Sequence, residues 1–271
     1  STISVSTSHE LSNSDIINLS IEPNLSVGIG TSTSIYVKRD SITGNILVNP
    51  IGFSSTGINT TTNTISINSH NLKTGDKILY ASNVVASGLS TGFYYVYRVN
   101  DNTIKLSETY VDSKTIPPTT VSIASTGGSS QSISLINPQI ESIKNNNLVF
   151  DLSDNSLVGY KFKLYYDQNY NNEFISTPSS NSFTLSGIGT IGVSANASLT
   201  INYSESLPTQ LYYNLEKSGY ISTSDKEVRD YSEILFVDSA YNSNYTISGI
   251  GLTTFVISLS QKPEKLSYTQ N

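Results

Sequence analysis

The feature that most constrains this chain is a repeat. Laying His9 on His70 also brings Ile3 near Ile65, Leu11 onto Leu72, Asp15 onto Asp76 and Ile17 onto Ile78. Further along, "STSIYVKRDSITGNILVN" (32–49) follows the pattern of "STGFYYVYRVNDNTIKLS" (90–107), pairing Tyr36 with Tyr95 and Ile46 with Ile104. The spacing between copies shortens a little on the way, as it does when loops differ in length while strands are kept. One module is written twice, with a period of roughly 60 residues. A second pair lies in the C-terminal half, where "SFTLSGIGTIGV" (182–193) matches "NYTISGIGLTTF" (244–255). Each copy then runs to a proline corner, Leu207-Pro208 or Lys262-Pro263. Small duplicated units, and not one large core, are therefore expected.

Within the repeats the signal is period two. "TISINSHNL", "YYVYRV", "TIKLSETYV", "NLVFDL", "KFKLYYD" and "EILFVDS" are short, alternating or apolar, and bounded by Gly, Asn, Asp, Ser or Pro. Turn signals separate them by the spacing of about 8 to 12 residues found in sandwiches and small barrels. The apolar residues are Ile, Val, Leu, Tyr and Phe, which suit a pleated surface. The fold class predicted is all-β: tandem small β-sandwich or barrel modules, with at most one short helix, "SDKEVRDYSE" at 224–233, N-capped by Ser224.

"KTIPPTTVSIASTGGSSQS" (114–132) joins a stiff Pro-Pro to a soft Gly-Gly-Ser-Ser and marks the main junction. The expected units are 1–50 as the first copy, possibly incomplete, 51–125 as the second, 126–222 as a further sandwich, and 223–271 as a partial copy of it. Apolar residues make up only 37 % of the chain, so each unit is expected to lean on its neighbours or on other subunits for stability. The absence of Met, with an alternating strand at residue 1, favours a piece of a longer chain.

Charge and composition exclude several functions. The net charge is −6 without any run of like charges, so the basic stripe that nucleic acid requires is missing. No stretch of about 18 apolar residues offers a membrane span. With no Cys, disulfides and thiolate metal sites are out.

The two histidines stand in matching order: strand, Ser-His-x-Leu, polar turn, Asp, then a strand beginning with Ile. His9, Asp15, His70 and Asp76 are read as one structural corner built twice. The imidazole donates to a carbonyl, Leu plugs the core, and Asp accepts backbone N–H groups beyond the turn. A shared metal needs more converging ligands than the sequence offers, and the two rings fall in separate modules.

"YDQNYNNEF" (166–174) sets out Asp167, Asn169, Asn171 and Glu173 like the start of a calcium loop. It departs where Asn172 replaces Gly and Pro178 stands where the bidentate Glu belongs. A solvated hairpin loop is the simpler interpretation. Glu22, Asp40, Glu108, Asp112 and Asp167 permit a carboxylate pair for glycoside cleavage, a weak signal among 21 acidic residues. No Gly-x-Ser-x-Gly elbow occurs. The Gly-Ile-Gly at 28–30, 187–189 and 249–251 lacks the Lys-Ser/Thr of a phosphate loop and is read as a turn. The tyrosines of "GFYYVYRV" (92–99) either pack across strands or stack on a sugar.

"SHNLKTGDKILY" with "GLSTGFYYVYRVNDNTIKLSETYVDS" resembles a module recurring in large virion structural proteins of contractile-tailed phages that infect marine cyanobacteria. "GYKFKLYYDQNYNNEFIST" with "NLEKSGYIST" resembles the Ig-like β-modules that accompany it there. The similarity extends over most of 1–260. The first copy departs at Ser14, where the turn Gly is expected, and at "SVGIGTSTS". The resemblance implies a non-enzymatic component of a tail, baseplate or fibre, located in the virion and without a cofactor. Its implied partners are other virion proteins and copies of itself, with no nucleic acid and no membrane. The alternatives are a receptor- or host-glycan-binding adhesin or capsid decoration module, and a β-rich glycan-degrading enzyme.

Overall fold

The computed structural model describes residues 2–4, 16–19, 32–143, 147–174, 183–203, 208–217, 220–221, 232–237, 243–248 and 254–257. The alternating segments are strands. From the N-terminal half come β1 (Thr2–Ser4), β2 (Ile16–Leu19), β3 (Ser32–Arg39), β4 (Ile46–Phe53), β5 (Ile58–Asn59), β6 (Thr64–Ser66), β7 (Lys77–Ser82), β8 (Gly92–Asn100) and β9 (Thr103–Ser107). One short helix, α1 (Tyr110–Lys114), follows. Then come β10 (Gln131–Ile136), β11 (Ile140–Ile143), β12 (Asn147–Asp151), β13 (Lys161–Tyr165), β14 (Phe183–Ile188), β15 (Ser198–Tyr203) and β16 (Gln210–Lys217). The last four are β17 (Tyr220–Ile221), β18 (Glu233–Val237), β19 (Ser243–Ser248) and β20 (Thr254–Ile257). Among the described residues the protein is all-β with one short helix, and none of the sheets closes into a barrel.

The described strands form three sheets. Eleven lie in the order β14-β15-β12-β3-β4-β10-β7-β8-β9-β6-β5, five in β11-β18-β16-β13 with β17 added to β16, and four in β1-β20-β19-β2. Sequence-distant strands are interleaved. β10 lies between the hairpin of the first repeat and β7 of the second, pairing antiparallel with both. β12 runs parallel to β3, with Phe150 opposite Ile35. β4 passes through residue 50, where the first boundary was placed, and continues to pair with β10 there.

Alternation decides what is buried. Val37, Val48, Ile65, Ile78, Tyr80, Ile104 and Val96 are at most 1 % exposed, each on the core face of its strand. At the other end of the large sheet, Phe150 meets Phe162 at 4.7 Å, and Phe162 stacks on Tyr213 at 5.8 Å. Phe150 belongs to the eleven-stranded sheet and the other two rings to the five-stranded one, so this aromatic trio joins the two sheets face to face. Each such ring contributes roughly 1.5–3 kcal/mol by leaving water.

Two expectations are corrected. The strand predicted through "TIKLSETYV" stops at Ser107, and Tyr110–Lys114 is helical. Local capping outweighs the β propensity of Tyr110 and Val111: Thr109 accepts from the N–H of Asp112, and its hydroxyl donates to the Asp112 carboxylate. The helix expected at 224–233 lies outside the described residues up to 231, while its last residue, Glu233, begins β18. The 114–132 stretch is seated on the second repeat. Val121 donates to Leu106 O, Ala124 to Ser87 O and Gly128 to Val84 O. Where it crosses residue 88 the two backbones touch, for a Cβ there would lie 1.9 Å from Ser122 O. Only glycine fits.

Candidate functional site

The corner at residues 69–76 is where the sequence concentrates its chemistry. Ser69 and Asn71 adopt left-handed backbone, with φ of 48° and 56°, which throws the intervening His70 inward to 4 % exposure. Its Nδ1 accepts from the N–H of Leu72 at 3.0 Å, so the ring proton is on Nε2, which donates to Asn100 O at 2.9 Å. Burial is the largest influence on the ring and holds it below its ordinary value, against the opposing pull of the Asn100 and Thr103 backbone. Leu72 is 3 % exposed beneath it. Beyond the turn, Asp76 accepts from the N–H of Lys73 at 2.6 Å, and Gly75 takes φ +93°. The imidazole is neutral and both nitrogens are engaged, which leaves no lone pair for a metal or a substrate proton. His9 and Asp15 lie outside the described residues.

In the 166–174 loop the four oxygen-bearing residues are not gathered. Asp167 turns its carboxylate on its own loop, accepting from the N–H groups of Asn169 at 2.9 Å, Asn171 at 3.3 Å and Asn172 at 2.8 Å. Desolvation works to raise its pKa, and these backbone bonds outweigh it and hold the carboxyl below its ordinary value. Glu173 points elsewhere, to Lys163 Nζ at 2.8 Å, and the same ammonium meets Glu216 at 2.5 Å. Hydrogen bonding to both carboxylates holds Lys163 above its ordinary value. Among the described residues, no group of three or more His, Asp or Glu is placed to hold a metal.

The other carboxylates serve their own turns. Asp40 accepts from Thr43 N at 3.1 Å, and the Asp112 carboxylate accepts from the hydroxyl of Thr109, the cap of α1, at 2.7 Å. Glu108 is exposed, and Glu22 lies outside the described residues. Tyr94 and Tyr95 are 6 % and 7 % exposed. Tyr94 meets Tyr80 edge-on at 6.4 Å and Tyr95 meets Tyr110 at 6.0 Å, so these rings pack across elements. A shallow groove of about 760 Å³ opens where β4 and β7 end and β10 begins, lined by Phe53, Ser82, Asn83, Thr91, Ser130 and Ser132. Of the predicted turns, Gly189 takes φ +72°.

One cluster escaped the sequence. Tyr36 OH donates to Asp154 at 2.6 Å, and Lys38 lies 3.5 Å from the same carboxylate. Burial first, then the Asp154 bond and charge, hold the Tyr36 phenol well above its ordinary value. Desolvation pushes Asp154 up, yet its bonds from Ser156 and Tyr36 bring it below the usual carboxylate range. Beside it, Arg39 lies 4.7 Å and Lys217 5.3 Å from the centre of the Tyr160 ring. These residues come from segments 118 positions apart, and no local pattern links them. They latch β3 to the turn after β12.

No family model matches the chain, and no curated protein or solved structure matches it either. No described helix is long and apolar enough to cross a membrane.

Proposed function

We propose that this chain is a non-enzymatic structural component of a phage virion, a β scaffold of a tail, baseplate or fibre that works through protein–protein contacts. Its units are the tandem modules 1–50, 51–125, 126–222 and 223–271, the last two Ig-like, and its place is the extracellular particle. One observation carries this reading. Apart from the exposed Glu108, the described ionisable groups that sequence marks as chemical, His70, Asp76, Asp40, Asp112, Asp167 and Glu173, are each engaged in closing a turn, bonding the helix cap or bridging strands. The resemblance of "SHNLKTGDKILY" and "GYKFKLYYDQNYNNEF" to virion modules supplies the setting. Antibody labelling and electron microscopy of purified particles test it: decoration at a fixed position on the tail is expected, and particles that lack the chain would sink the assignment.

A second reading, a glycan-binding adhesin, is favoured by the groove around Phe53, which sets an aromatic ring among hydroxyls and amides. Ser132→Trp would fill that groove. Loss of host-surface binding in this variant, with particle assembly intact, separates the adhesin from the scaffold.

A further inference from the structure

The two ends of the eleven-stranded sheet are not alike. At one end stands β5, two residues long, and a short edge offers little for another chain to pair with. At the other stands β14, six residues, Phe-Thr-Leu-Ser-Gly-Ile. It has β15 along its inner side and no partner on its outer side among the described residues. It carries no charge and no proline, the usual devices that keep sheet edges apart. The edge strands of the five-stranded sheet do carry them: Glu141 in β11, Lys161 and Lys163 in β13.

The second copy of the same motif shows what such an edge accepts. "SFTL" before the first Gly-Ile-Gly corresponds to "NYTI" before the last, so β14 is the sequence counterpart of β19. β19 also forms a hairpin, with β20, yet its outer side is taken by β2, antiparallel, with Tyr245 opposite Ile17 and Thr246 opposite Ile16. Their counterparts in the first copy, Phe183 and Thr184, lie in β14, whose outer side has no partner among the described residues. At the end of β14, Ile188, Val193 and Val158 are 54 %, 68 % and 51 % exposed, and the backbone of residue 192 sits against Val158. An uncharged edge thus finishes beside an apolar rim.

We propose that β14 pairs antiparallel with β14 of a second copy of this chain, joining two large sheets edge to edge. Two identical uncharged edges meet without repulsion, and a two-fold axis between them closes both β14 edges at once, so pairing at this end of the sheet stops at two copies. The antiparallel arrangement carries the apolar rim of each copy toward the start of its partner's strand. The proposal stands apart from the virion assignment, which is decided by particle labelling and not by self-association.

Sedimentation velocity of the full chain over a wide concentration range is expected to show a monomer–dimer equilibrium. Ser186→Pro removes a ladder donor and bends the edge, and weakens the dimer at least about tenfold, the equivalent of one or two hydrogen bonds. Because the chain has no Cys, a single introduced thiol reports directly. Ser186→Cys is expected to give a disulfide-linked dimer under mild oxidation, while Thr56→Cys, beside β5, is not. The cross-link decides the matter if the proline variant fails to fold. A monomer at all concentrations, or a dimer that cross-links through position 56 and not 186, overturns the proposal.

Discussion

The hairpins β3–β4 and β8–β9 share their pairing but not their surroundings. In the first, Val37 stands opposite Val48 and Arg39 opposite Ile46. In the second, Val96 stands opposite Leu106 and Arg98 opposite Ile104. The six apolar residues are at most 1 % exposed in both. The neighbours differ: β3 takes β12 in parallel and β4 takes β10, whereas β8 takes β7 and β9 takes β6. Even the matched arginines part ways, Arg39 lying over Tyr160 while Arg98 is half-exposed and paired with Asp101. Hairpin register is set by the alternation and the turn within about twenty residues. Position in the sheet is set by strands far away in sequence.

The equivalence is tested most severely in the core. Ile46→Ala and Ile104→Ala are each expected to cost about 2–4 kcal/mol, since both leave a cavity where no side chain can collapse. Urea unfolding measures this, with the midpoint falling and the slope kept. Losses that agree within about 1 kcal/mol uphold one hairpin design used twice. A mild loss at only one of them would show that the shared register hides different packing.

The next effects separate the two hairpins, because each has its own latch. The first is held by Asn137, whose Oδ1 accepts from Ile46 N at 2.9 Å and whose Nδ2 donates to Asn45 Oδ1 at 3.0 Å. Asn137→Ala strands a buried N–H and places alanine at φ 41°, for a loss of about 2–3 kcal/mol. Hydrogen exchange is expected to quicken at the Ile46 amide well before it does at Ile104.

The second hairpin is held by His70 through Asn100 O, and this latch titrates. Burial lowers the pKa of the folded imidazole, so the unfolded chain binds a proton first as pH falls. The stability that the neutral ring provides is complete above the unfolded value of about 6.5. It is lost as pH drops below that, levelling off under the folded pKa. His70→Ala is expected to cost about 1–3 kcal/mol at neutral pH by leaving Leu72 N and Asn100 O unpaired. The same variant removes the acid-side slope in melting curves recorded between pH 7.5 and 5. An unchanged slope would place the ring outside the latch.

These results separate what is legible locally from what is not. Ile46 and Ile104 match in the sequence pattern, and the ladders keep that match, Arg39 standing opposite the one and Arg98 opposite the other, because alternation and turn length fix the register. At the His70-x-Leu72 corner the polar partners, Leu72 N and Asn100 O, lie within one turn or one hairpin, which is the range that local pattern covers. By contrast, the β10 bridge, the parallel β12–β3 pair and the Tyr36–Asp154 bond depend on contacts between residues 49 to 118 positions apart, and nothing in either local segment announces them. The 114–132 stretch shows the same limit. Its Gly and Pro mark a junction in the sequence, and the contacts it makes are long-range: Gly88 and the left-handed Gly127 permit tight backbone crossing here. Carboxylate positions were legible as residues but not as a site, since acid–base pairing depends on long-range placement.

The smallest expected effect is the most exacting test of local register. The hairpin turns reach the same pairing by different chemistry. In the first, Asp40 accepts from Thr43 N and from Ile42 N at 3.4 Å, with Gly44 at φ 78°. In the second, Asn100 accepts from Asn102 N at 2.9 Å in a turn one residue shorter. Both side chains are partly open to water, so a lost bond is replaced by solvent, and Asp40→Ala or Asn100→Ala is expected to cost only about 0.5–1 kcal/mol. Because the buried alternation of the strands, and not the turn side chain, opposes a one-residue slip, cross-strand amide contacts between 37 and 48 and between 96 and 106 must persist in these variants. A slipped register in either would mean that the turn, and not the strand pattern, dictates which face of the hairpin enters the core.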